Sequence, residues 1–101
     1  MDRTAALLGW RQRLEAALHS EDWSAMDEAD RALATGLPPL RAAGPWSAAE
    51  RRALQQLQAS HAQARRACAA ALAAAGQQLD GMRQQREGWL AYADGQAWET
   101  A

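Results

Sequence analysis

The chain has 101 residues, 49% of them hydrophobic, and a formal net charge of −1, which is the size of one domain. It contains no Ile, Val or Phe, so its core is restricted to Leu, Ala, Met and Trp, and the lack of β-branched residues argues against a sheet. All eleven basic residues are Arg, spread without a run. That is not the clustered basic face of a nucleic-acid-binding domain, and the alanine-rich stretch 67–75 falls well short of the ~20 apolar residues that cross a membrane.

Cys68 is the single cysteine, which excludes an intramolecular disulfide and a Cys₂His₂ zinc site. The opening Met-Asp-Arg-Thr does not read as a secretory leader. The expected class is an all-α protein, soluble and cytoplasmic.

The first helix is expected over residues 3–19. Leu7, Trp10, Leu14 and Ala17/Leu18 recur at alternating steps of three and four, one apolar face. Arg3, Arg11, Arg13 and Glu15 fall mostly off that stripe. His19-Ser20-Glu21-Asp22 interrupts it, and Ser20 or Asp22 suits the N-cap of the next helix. The second helix is expected over 21–35, with an inner face of Trp23, Met26, Ala29 or Asp30, and Leu33, and a favourable i,i+4 pair in Asp27 and Arg31. The short connection makes these two helices antiparallel neighbours.

Gly36 has the character of a residue that follows a helix end, and Pro38-Pro39 argues against continuation. Residues 36–46 therefore read as a Pro/Gly-rich linker. Leu37, Leu40 and Trp46 are too apolar for a free linker and are expected to pack on the end of the bundle, with Trp46 stapled near Arg51.

Ser47 and Glu50 form an S-x-x-E capping box that opens a third helix over 47–93. Unbroken to Tyr92, it would be about 70 Å long at ~1.5 Å per residue. Its apolar stripe runs from Leu54 and Leu57 through His61, Ala64 and Cys68 to Leu79, Met82, Trp89 and Tyr92, with a mean spacing of about 3.55 residues. Gly76, Gly81 and Gly88 each cost roughly 1 kcal/mol relative to Ala. They allow a bend or a break, placed by this reading near Gly76–Gly81. The tail 94–101 reads as short, polar apart from Trp98, and frayed. The whole is an antiparallel bundle of three main helices, in a single domain, with an overlong third helix.

Chemistry-bearing constellations are sparse. His61 on an apolar face reads as a partly buried packing residue, and Cys68 in an alanine-rich seam as a small buried hydrophobe. The acidic residues Glu21, Asp22, Asp27, Glu28 and Asp30 read as a solvated, dipole-matched helix start rather than a metal site. No phosphate loop, metal spacing or nucleophile set can be named, so the chain is not expected to be an enzyme, and no cofactor or metal is implied. The surplus of large apolar residues says more. Five Trp either cap the core or line a binding surface, since aromatic side chains dominate interface hot spots. Leu72, Leu79, Met82, Trp89 and Tyr92 are the candidate partner-binding residues, with Trp98 a minor addition.

Two short helices, an acidic-Trp restart at Asp22-Trp23, a Pro-rich stretch and a long third helix give the chain a resemblance to the FliT-type flagellar export chaperones. It is carried by LLGWRQRLEAALHSEDWSAMDEADRAL (Leu7–Leu33) and LDGMRQQREGWLAYA (Leu79–Ala93). The resemblance implies a cytoplasmic chaperone of type III export that binds the C-terminal helices of the filament-cap protein, FliD, and prevents premature assembly. It also implies contacts with the export ATPase complex and, in some members, with the flagellar master regulator, and it allows a homodimer. Longer members carry a fourth helix over the binding surface. About eight residues follow Ala93 here, so that helix is expected to be absent or replaced by the distal part of the third. Two other classes remain open: a structural homodimer whose long helices bury each other, and a regulator that acts by contact with a transcription factor. None of the three calls for nucleic acid or membrane.

Overall fold

A computed structural model describes the backbone of residues 2–100 and the side chains of residues 2–95. All the regular structure in these residues is helical: α1 (Thr4–His19), α2 (Trp23–Ala42) and α3 (Ala48–Thr100). The chain divides into two compact units, Met1–Cys68 and Ala69–Ala101.

The first unit is a three-helix bundle. Glu15 meets Ser60 and Arg11 meets Gln56, both 45 residues apart, so α1 and the start of α3 run parallel. Asp30 meets His61 and the Leu40 carbonyl meets Arg3, so α2 runs antiparallel to both. Each helix contributes three residues to the core: Leu7, Leu14 and Ala17; Met26, Ala29 and Leu33; Ala53, Leu57 and Ala64. Trp10, Trp23, Leu37 and Trp46 pack around it, half-buried. The stripes expected on α1 and α2 are thus the faces that bury.

The joints follow local chemistry. At the end of α1 the Asp22 N–H reaches the Ala17 carbonyl (2.9 Å) and the Glu21 N–H the Leu18 carbonyl (3.1 Å). This six-to-one, five-to-two pair of bonds places Glu21 in the left-handed region, φ 52, where glycine normally sits. Asp22 then caps α2, its carboxylate accepting from the Ala25 N–H at 3.0 Å. The α3 capping box closes both ways: Ser47 Oγ accepts from the Glu50 N–H (3.1 Å), and Glu50 Oε1 from the Ser47 N–H (2.8 Å).

Arg3 is the main departure in this unit. Expected off the apolar stripe, it is instead buried together with Glu50. Its backbone N–H and Nε–H donate to Glu50 Oε2 (2.9 and 2.8 Å), and one Nη2–H donates to Oε1 (3.0 Å). The remaining guanidinium hydrogens go to the carbonyls of Leu40 (2.7 Å), Gly44 (2.9 Å) and Pro45 (2.7 Å). All five guanidinium donors are used, and the guanidinium carbon lies 4.0 Å from the centroid of the Trp46 ring, a cation–π contact. Trp46 thus packs against Arg3.

The expected linker also shrinks. α2 continues through Gly36, Pro38 and Pro39 to Ala42, leaving 43–47 as the connection. An interior proline loses one helix hydrogen bond and costs roughly 3 kcal/mol. Tertiary contacts offset this. Leu37 packs on the core, and the Leu40 carbonyl is held by Arg3. Gly36 is not a helix stop but a notch: a Cβ there would lie 2.4 Å from Trp10 Cζ2. Cys68, expected in a buried seam, is exposed: it is the last residue of the bundle unit, and Ala64 is the last buried position on α3 among the described residues.

The second unit is a helical segment. α3 shows no break at Gly76 or Gly81, and its backbone is helical through Thr100, where a break and a frayed tail were expected. The glycine cost is diluted in a run of Ala, Leu, Gln and Arg, the residues that favour helix most. Every residue from Leu72 to Gly95 is exposed. The side chain of Trp98 lies outside the described residues.

Two substitutions test these joints. Glu21→Gly removes a side chain from a left-handed position and is expected to stabilise the protein by about 1 kcal/mol, raising its melting temperature; an unchanged or lower melting temperature contradicts the assignment. The Arg3 hydrogen bonds, then the Ser47 and Arg3 backbone N–H groups, hold the Glu50 carboxyl far below its ordinary value of 4.5. A depressed folded value means that the stability carried by ionised Glu50 is complete above the unfolded value and is lost as pH falls. Glu50→Gln is therefore expected to lower the melting temperature at neutral pH and to flatten its decline between about pH 5 and pH 3. A variant whose acid decline parallels the wild type removes Glu50 from that role.

Candidate functional site

Among the described residues, the large hydrophobic side chains that stay exposed all fall in one stretch: Leu72 (75%), Leu79 (59%), Met82 (59%), Trp89 (71%), Leu90 (57%) and Tyr92 (58%). Five of the six are the residues singled out from the sequence. A helix turns about 100° per residue, and the azimuths follow from the numbering. Leu72, Leu79 and Leu90 lie within about 20° of one another, and Met82 and Trp89 complete an arc of about 100°. Tyr92 lies about 60° outside that arc and joins it through its ring, which meets Trp89 edge to face with centroids 6.1 Å apart and planes at 89°.

Leu90 was missed. It is 18 residues, five full turns, from Leu72, so the signal is present in the sequence, but the expected stripe runs through its neighbour Trp89. Arg86 falls inside the arc and puts one charge on the apolar face. Asp80, Glu87 and Asp94, spaced by seven, line one flank; Gln78 and Gln85 line the other. Gln85, Gly88, Trp89 and Tyr92 border an open depression of about 540 Å³.

The bundle unit has concave surface of its own between α2 and α3. One cleft of about 280 Å³ is lined by Leu33, Leu37, Pro38, Leu54 and Leu57, and a second of about 340 Å³ by Leu14, Trp23, Met26, Ala64 and Cys68. His61 and Asp30 border both, and His61 Nε2 lies 2.6 Å from Asp30 Oδ1. His61 is partly buried as expected, but its carboxylate partner was not foreseen.

The acidic residues resolve individually. Asp22 caps a helix, Asp27 pairs with Arg31 at 3.1 Å, and Asp30 pairs with His61. Among the described residues no three His, Cys, Asp or Glu side chains converge as a metal cage, and no helix is long and apolar enough to cross a membrane. No family model matches the chain, and neither a curated protein nor a solved structure matches it significantly.

Proposed function

We propose that this chain is a non-enzymatic helical chaperone, of the flagellar type III export kind that its sequence resembles, and that it covers an amphipathic client helix with the 72–92 face. The client in this reading is the C-terminal helical region of the filament-cap protein, kept from premature assembly in the cytoplasm. The observation that carries the proposal is that, among the described residues, the exposed large hydrophobics are confined to 72–92. Exposed apolar residues on a soluble monomer are normally scattered singly. Here they form a continuous strip with an aromatic anchor in Trp89, the arrangement that helix-on-helix recognition uses. Burying it yields roughly 25 cal/mol per Å² before the costs of ordering are subtracted.

The test is co-purification with the C-terminal segment of the filament-cap protein from the same genome. A stable complex is expected, and absence of one sinks the client assignment. Leu79→Asp combined with Trp89→Ala is expected to weaken the complex by at least about 100-fold without moving the melting transition of the bundle. A double variant that binds as well as wild type refutes the placement of the surface.

A further inference from the structure

We propose that the smaller cleft between α2 and α3 in the bundle unit is a binding site for a compact hydrophobic amine, whose apolar group fills the cleft and whose ammonium pairs with Asp30. The site lies apart from the 72–92 face and does not rest on the function proposed above.

The cleft has a volume of about 280 Å³, with walls made by Leu33, Leu37 and Pro38 of α2 and by Leu54 and Leu57 of α3. Leu33 and Leu57 belong to the core, whereas Leu37 and Leu54 pack against it half-buried. The cleft is therefore an extension of the core that the chain leaves unfilled. Ala34, also on its lining, is too small to close it. An apolar cavity of about 150 Å³ holds a benzene ring, so this one has room for a two-ring group. Small-molecule sites have this make-up: mainly apolar walls and a few placed polar groups that fix orientation.

Charge selects the other end of the ligand. Asp30 of α2 and His61 of α3 meet at the edge of the cleft, with His61 Nε2 2.6 Å from Asp30 Oδ1. That contact holds the carboxylate from the facing helix. Its second oxygen, Oδ2, has no protein donor among the described residues, and the Asp30 side chain is 54% exposed, so an incoming donor can reach it. The neighbouring cleft differs. It is lined by Asp27, which already pairs with Arg31 at 3.1 Å, and by Arg65, which brings a positive charge of its own. No arginine lines the smaller cleft.

A carboxylate with one oxygen held and one open, beside apolar walls, matches an ammonium on an apolar group. The ammonium gains a charge-assisted hydrogen bond, and the apolar group leaves water in the same step. A neutral molecule of the same shape gains only the walls, and an anionic one meets Asp30 as a like charge. The cleft is open on one side, so a ligand of about a dozen heavy atoms is expected to bind with a dissociation constant on the order of 0.1–1 mM.

Titration of the full chain with 1-naphthylmethylamine, followed through the leucine methyl resonances, tests the site. Saturable shifts are expected at Leu33, Leu37, Leu54 and Leu57, with the amine binding roughly threefold to tenfold tighter than neutral 1-naphthylmethanol and 1-naphthylacetate weaker than either. Asp30→Asn is expected to reduce the amine to the affinity of the alcohol. Ala34→Leu, a substitution that favours helix and fills the cleft, is expected to abolish the shifts from both. No saturable shift at the four leucines, an alcohol that binds as tightly as the amine, or an Asp30→Asn variant that keeps the preference for the amine each overturns the proposal. Shifts confined to Leu72, Leu79 and Leu90 place the probe on the distal face and overturn it as well.

Discussion

The buried pair of Arg3 and Glu50 is the contact on which the bundle depends. It joins the start of α1 to a stretch about 40 residues away that comprises the end of α2, the 43–47 connection and the start of α3. Buried ion pairs are weak evidence for stability in themselves, because desolvation offsets attraction. Full use of the guanidinium donors changes what the pair does. Each of its hydrogens has one geometrically defined acceptor, so only one arrangement of these parts of the chain satisfies them all. The same contact explains why α2 tolerates two interior prolines. Its final turn is held from outside by the Arg3 bond to the Leu40 carbonyl as well as by its own helix bonds.

With that end fixed, the bundle unit covers its own large side chains. Leu7, Leu14 and Leu57 are fully buried, and the tryptophans at 10, 23 and 46 are half-buried against the core. The helical segment that follows is built on another principle. Its Ala, Leu, Gln and Arg content favours helix locally, yet no residue from Leu72 to Gly95 is buried. Helical stability in proteins comes mainly from packing an apolar face. A segment that carries such a face uncovered gains most from a partner, whether a client helix or another copy.

Much of this was legible in the sequence where the signal is local. The apolar steps of α1, the Asp22 cap and the Ser47–Glu50 box depend on residues within a turn of one another, and all are present. What was missed depends on residues brought together by the fold. Arg3 reads as a surface residue until Glu50 and three carbonyls 37 to 47 positions away surround it. Pro38-Pro39 reads as a stop because the local penalty is visible and the tertiary compensation is not. Cys68 continues the stripe, but burial requires a neighbouring helix as well as a period. In the 72–92 stretch the apolar residues were recognised, whereas Leu90 and the offset of Tyr92 emerged only from the azimuths.

The bundle unit buries its own core, whereas the large apolar side chains from Leu72 to Leu90 stay exposed. Amide hydrogen exchange resolved along the chain tests this contrast most directly, because protection reports the free energy of local opening. In dilute free protein, amides around Leu14, Leu33 and Leu57 should exchange only through global unfolding, while those from 72 to 92 exchange through local opening and become protected when a partner binds. Protection at 72–92 as strong as in the bundle, in dilute protein without a partner, would contradict the account.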